Sequence, residues 1–248
     1  MVELIVVHIP KTAGGAFQSI LQQVYGVEYI YYDYGSLSIP QVYSPTEIPS
    51  PPIRVIHGHF PINKYDGFSP NAKRIIWLRH PIHLLISLYF YWRHMPRISP
   101  DDTSIVGKTQ HTKMGIYEFA EQPEVTNILS QNLCGKQLTD FYFVGFQEFF
   151  KEDILELKEL LSWPDINVSI YQNVNPNLKY HQDVQAIFTN KTIMNKLVEN
   201  NREDIEKYHE ALNLRAKRRK EPNLLQPIMA EWNRQQYRVS QILKSASR

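Results

Sequence analysis

Two periodicities alternate along this chain. Glu3 to Ile9 is a short run rich in β-branched apolar residues, which reads as a buried strand. Pro10 to Gly15 interrupts it as a loop. From Ala16 to Tyr25 the apolar residues Phe17, Ile20, Leu21 and Val24 recur at helical spacing. The same pattern continues. Short strands are expected at Val27–Tyr31, Arg54–His57, Arg74–Leu78 and Phe141–Phe146. Helices are expected at Pro81–Trp92, Pro123–Leu133 and Glu152–Leu161, and two long ones at Ile193–Leu212 and Leu224–Leu243. Pro81 suits a first helical position, where its missing N–H costs nothing, and Gly135 suits a helix stop. Met95–Lys113 is polar, with Pro, Gly and paired Asp, and reads as a long loop of the kind that often forms a lid or binding element. Strands alternating with helices predict an α/β domain around a mostly parallel sheet.

Composition narrows the function classes. The 248 residues show no internal repeat or linker and suit one domain, 1–248, with a C-terminal helical segment from about 193 packed on it. Twenty-seven Lys plus Arg against 25 Asp plus Glu give a net charge of +2, which supplies no global reason to bind nucleic acid. A single Cys excludes a disulfide framework and a cysteine-rich zinc module. Cys134 itself reads as a small buried apolar residue. No stretch reaches the ~18 apolar residues of a membrane span. The start, Met1 opening straight into a strand, lacks the basic region of a signal peptide. The expectation is a cytoplasmic protein without a membrane span.

The first strand-to-helix turn carries candidate chemistry. An anion at such a turn needs open N–H groups at a helix start, small residues for close approach and a nearby cation. Ala13, Gly14, Gly15 and Ala16 supply the small residues, Lys11 the charge and Thr12 a hydroxyl. The motif is not a Walker A sequence, whose Lys follows its glycines. The plainer alternative is a tight turn with an exposed Lys. Further on, Arg79 ends a strand, Pro81 opens a helix and Ser87 lies within it. In isolation these are equally a surface ion pair and a hydroxyl bonded to its own backbone. Between the two segments lies His57-Gly58-His59, at a predicted strand end where α/β proteins place ligands. An imidazole that titrates near neutrality can act as a base. It can equally be a structural His bonded to a carbonyl, or a metal ligand, though no third ligand has convincing spacing.

Taken together, His8-Ile-Pro-Lys-Thr-Ala-Gly14 resembles the 5′-phosphosulfate loop of sulfotransferases that use 3′-phosphoadenosine 5′-phosphosulfate (PAPS). The form is similar to that of carbohydrate sulfotransferases, including the heparan sulfate 2-O-sulfotransferase type. Arg79, Pro81 and Ser87 resemble the family's second signature, with His80 where the family usually has Asp. His57-Gly-His59 resembles a segment of the 2-O type. Asn127, Gln131 and Leu133-Cys-Gly135 resemble a further segment of glycan sulfotransferases.

The resemblance implies a P-loop-NTPase-like three-layer α/β sandwich. It implies that Lys11, Thr12 and the N–H groups of Ala13 to Ala16 contact the 5′-phosphosulfate, and that Arg79 and Ser87 contact the 3′-phosphate. It implies His59 as base with His57 contributing to activity, PAPS as donor without a metal, and a hydroxyl-bearing acceptor, a glycan or glycolipid. Without an anchor or disulfides, the expectation is a bacterial-like cytoplasmic enzyme. A P-loop kinase and a non-catalytic anion-binding module are the alternatives. The basic run Arg215 to Lys220 reads as a solvated helix end or an attractor of anionic surfaces.

Overall fold

The computed structural model describes residues 2–34, 52–168 and 178–220. They form two compact units interleaved along the chain. One comprises the chain up to Arg79 together with Leu129 onwards through the fifth strand and the helix after it. The other runs from His80 to Ile128 and resumes with the C-terminal helices.

The first unit is built on five strands, β1 (Leu4–Val7), β2 (Ile30–Asp33), β3 (Val55–Gly58), β4 (Lys73–Leu78) and β5 (Phe143–Phe146). Their order is β2-β3-β1-β4-β5, and all four pairings are parallel. This is the α/β class around a mostly parallel sheet that the sequence leads one to expect. β1, β3 and β5 are buried at every position, as strands inside a parallel sheet are, and β3 carries the polar His57 among its buried residues. Helices α1 (Gly14–Tyr25) and α6 (Phe150–Leu161) share one core with the sheet. Leu4, Val6, Ile75 and Trp77 of the strands meet Phe17, Ile20 and Leu21 of α1 and Ile154 and Leu157 of α6. The Trp163 indole N–H closes this core by donating to the Tyr25 hydroxyl, 3.1 Å away. The strand expected at Val27–Tyr31 lies slightly later, because Val27–Tyr29 form a 3₁₀ turn first.

The second unit is helical, with α2 (Pro81–His94), α3 (Ile105–His111), α4 (Ile116–Phe119), α7 (Leu178–Thr189), α8 (Lys191–Asn200) and α9 (Arg202–Arg219). The stretch Met95–Lys113 is therefore not a continuous loop. Ser104 caps α3 by accepting from the Gly107 N–H at 3.3 Å, and Ile105 and Thr109 are buried. That is an N-cap followed by an inward face, a signal weaker than the surrounding polar residues.

The helix expected at Pro123–Leu133 shortens to α5 (Ile128–Leu133), because Asn127 adopts a left-handed conformation, φ +50°. The helix expected over Ile193–Leu212 is two helices, α8 and α9. Asn201 breaks it, with its side-chain amide donating to the Leu197 carbonyl at 2.9 Å and its oxygen accepting from the Asn127 N–H at 3.3 Å. Local side-chain bonds of this kind compete with helix continuation. Sequence patterning assigns no element to α7. The helix expected at Leu224–Leu243 lies outside the described residues.

Cys134, expected to be buried, is exposed, with φ +47° just past α5. Of the basic run, Arg215 is buried and Lys217, Arg218 and Arg219 occupy the last turn of α9, where they complement its dipole. No helix among the described residues is long and apolar enough to cross a membrane.

Candidate active site

Parallel strands deliver all their C-terminal ends to one edge of a sheet. Here the residue that follows each of the first four strands carries chemistry: His8 after β1, Tyr34 after β2, His59 after β3 and Arg79 after β4. The chain leaves β1 through α1 towards β2 on one side, whereas β4 is followed across the sheet by β5 on the other. The gap between the ends of β1 and β4 is thus a topological switch point, where open α/β sheets bind ligands.

The loop after β1 is held in an unusual shape. Lys11 and Ala13 both adopt left-handed conformations, at φ +67° and +68°. For non-glycine residues each costs about 1–2 kcal/mol. Ala13 is the N-cap of α1 and supplies no side-chain cap. The N–H groups of Gly14, Gly15 and Ala16 in the first turn therefore have no intrahelical acceptor, and they point out of the positive end of the helix. Arg79 Nη1–H donates to the Lys11 carbonyl at 3.2 Å and ties the end of β4 to this loop. Burial, and then the nearby Arg79 guanidinium, lower the Lys11 pKa. A bound anion would relieve both effects. Thr12 is fully buried, and its hydroxyl donates to the Ile9 carbonyl at 2.7 Å, so it braces the turn from within.

Three imidazoles stack beside the loop. The His8 ring lies 4.5 Å from that of His59 and 5.4 Å from that of His57, nearly parallel to both. His57 and His59 approach the same ring because they are two apart on one face of an extended segment. Gly58 between them has no space for a Cβ, which would overlap the Asp33 carbonyl on β2. His57 is fully buried, and its Nδ1 lies 2.8 Å from the Tyr34 hydroxyl. Burial, with the neighbouring His59, pushes its pKa down to about 4.

His59 is half-buried, and its Nδ1 lies 2.6 Å from the His8 carbonyl. A carbonyl only accepts, so Nδ1 carries the proton and Nε2 presents a lone pair. Burial lowers the His59 pKa. The His8 carbonyl and the Asp33 charge oppose that shift. His59 is thus neutral near pH 7, and once protonated it is supported by both groups. Such an imidazole is suited to act as a base. Asp33 is in turn held by Lys64 Nζ at 2.5 Å and by the Tyr65 hydroxyl at 2.7 Å, and its carbonyl accepts from the His59 N–H at 2.8 Å.

The structure thus brings Lys11, Thr12, Ala13, Gly14, Gly15, Ala16, His57, His59 and Arg79 into one compact unit. Ser87, half-buried on α2, belongs to the other. Sequence reasoning gave no role to His8, Tyr34 or the Asp33–Lys64 pair. For His8, Tyr34 and Asp33 the common signal is a polar residue at the end of a strand run, which becomes informative only when the runs are known to lie parallel; Lys64 lies in the turn after β3 and carries no such signal. Among the described residues no group of three or more His, Cys, Asp or Glu could hold a metal ion.

No family model matches the chain. No curated protein matches it either. Among solved structures it is similar to mouse sulfotransferase SULT7A1 complexed with PAP, at 14% identity and a TM-score of 0.43, over 67% of this chain and 59% of that one. The chain thus spans less than two thirds of the mouse protein's structure. It is also similar to a sulfotransferase from Alicyclobacillus acidocaldarius, at 16% identity and a TM-score of 0.38, over 80% of this chain and 95% of that one. At these TM-scores the function has to be judged from the chain's own geometry.

Proposed function

We propose that the chain is a sulfotransferase that moves a sulfuryl group from PAPS to a hydroxyl of an acceptor, a carbohydrate or glycoconjugate. The observation that carries this reading is that one unit holds His59, whose Nδ1–H faces the His8 carbonyl, together with a helix start whose first N–H groups have no side-chain cap and whose loop bears Lys11. The residues fit a sulfated and phosphorylated donor. Open N–H groups of Gly14, Gly15 and Ala16, the Lys11 ammonium and the Arg79 guanidinium are the groups that would hold it. When bound, the donor supplies an activated sulfuryl group.

The chain's own residues do the rest. Lys11 and the helix-start N–H groups bear the negative charge that accumulates on transfer, a preorganised electrostatic contribution. His59 Nε2 takes the acceptor hydroxyl proton, and the His8 carbonyl holds the resulting imidazolium through Nδ1–H. In this reading His59 rather than His57 is the base, because His57 is fully buried and its Nδ1 already faces Tyr34. Ser87, together with Arg79, is assigned to the 3′-phosphate on motif resemblance.

The test is calorimetric titration with 3′-phosphoadenosine 5′-phosphate, with ADP as the control lacking the 3′-phosphate, in the presence of a chelator. Tight binding of the first and weak binding of the second support the reading. Equal or absent binding refutes it, and tight binding of ATP only with Mg²⁺ would favour a kinase. With the donor class established, His59→Ala should abolish turnover on a hydroxylated acceptor while leaving nucleotide affinity within a few-fold of wild type.

A further inference from the structure

The ring of His8 has no part in the chemistry described above, yet it occupies the centre of the site. It lies against Gly14, where any Cβ would overlap its Nε2, Cε1 and Cδ2 atoms. On its other sides it stacks on His59 and His57. It also meets the Tyr34 ring edge-on at 6.2 Å. Its Nδ1 is buried without a hydrogen-bond partner among the described residues, so a polar atom is kept in a place where it gains no bond. A buried polar group in that position normally costs stability, which makes His8 a poor choice for packing alone.

We propose that His8 is a positioning residue: its ring is the spacer between the anion loop and His59, setting the distance between them and keeping water from the inner face of His59. The proposal rests on the reading of His59 as the base. It follows from contact on both sides, because the ring cannot move towards the loop without striking Gly14 or towards β3 without displacing the histidine stack. Loop and base are thereby held to one another through a single rigid body.

Among the described residues, the charged and titratable groups facing the stack are His57 on β3, Tyr32, Asp33 and Tyr34 on and just after β2, and Lys11 on the loop. Behind them, Arg79 lies against Lys11 and Lys64 against Asp33. Burial is the largest influence on His59 and lowers its pKa. Removing the His8 ring admits water to His59 and raises its pKa towards the ordinary 6.5.

The experiment is an NMR titration of the imidazole resonances of His59 in wild type, His8→Ala and His8→Phe, in the free full-length protein. His8→Ala should move the His59 midpoint upwards, and His8→Phe, which keeps a ring, should leave it near wild type. The acid limb of the kcat/KM profile should move upwards with it in His8→Ala, with kcat falling more than donor KM rises. An unchanged midpoint in His8→Ala overturns the proposal, as does an equal shift in both variants. Should His8→Phe fail to fold, Gly14→Ala displaces the ring from the opposite side and should shift the midpoint as well; no shift there overturns the proposal. Because the titration needs no ligand, it gives its answer even if wild type fails to bind 3′-phosphoadenosine 5′-phosphate. That failure would refute the sulfotransferase reading on separate grounds.

Discussion

Adjacent glycines at the start of α1 should respond differently to alanine. A methyl on Gly14 would overlap three atoms of the His8 ring, whereas one on Gly15 meets nothing within 4 Å. Neither glycine has a positive φ, so backbone strain does not enter. For Gly15→Ala what remains is the helix preference of Ala over Gly, worth about 0.5–1 kcal/mol in a helix interior and less in a first turn. For Gly14→Ala the same gain is set against forcing a ring out of a packed stack, which costs about 1–3 kcal/mol. The His8 ring has little room to yield, because His59 and His57 lie 4.5 and 5.4 Å away on its other sides.

The expected gap between the two variants is therefore about 1–3 kcal/mol. With a urea m-value of about 2 kcal/mol/M this separates the midpoints by roughly 0.5–1.5 M. Tryptophan fluorescence is a suitable probe, since Trp77 and Trp163 lie in the core that α1 shares with the sheet. Gly14→Ala should shift the midpoint down and weaken nucleotide binding. Gly15→Ala should leave the midpoint unchanged or raise it. A Gly14→Ala variant as stable as Gly15→Ala would refute the packing argument and, with it, the tight coupling of loop to histidines.

Three further outcomes follow from the same geometry. Arg79→Ala should weaken binding of 3′-phosphoadenosine 5′-phosphate by about 1.5–3 kcal/mol, the value of a lost charged hydrogen bond. In calorimetry the ADP control should change less, and equal losses for both nucleotides would show that Arg79 acts on the loop alone. Stability should decline on acidification. The pKa values of His8 and His57 are lowered by burial to about 2 and about 4, so the unfolded chain binds their protons first. Their contribution is complete above about pH 6.5 and is lost below it, at a limiting slope of about 1.4 kcal/mol per pH unit for each group. Urea midpoints between pH 7.5 and 5 report this, and His8→Phe should flatten the decline. Asp33→Ala should cost about 1–3 kcal/mol, because it removes the carboxylate that accepts from both Lys64 Nζ and the Tyr65 hydroxyl. An unchanged midpoint in chemical denaturation would refute this.

Much of this organisation is legible in the sequence. The strands are short apolar runs and α1 has a clear 3.6-residue period, so class and approximate boundaries follow from local pattern. Lys11, the small residues after it, His57-Gly-His59 and Arg79 each sit at the end of such a run. Local signals failed where a side chain settled the matter through a distant partner. Asn201 divides one helical period into two helices by reaching Asn127, and Asn127 in turn shortens α5. Ser104 starts a helix inside a stretch whose composition reads as loop.

What the chain determines by itself is which residues can form strands and which polar groups stand at their ends. The register of parallel strands is a non-local choice. Only that choice brings His8, from the start of the chain, into stacking contact with His57 and His59, some fifty positions later. The protonation site on His59 was likewise undetermined by residue type. It is set by a carbonyl 2.6 Å away, which the sheet alone places there.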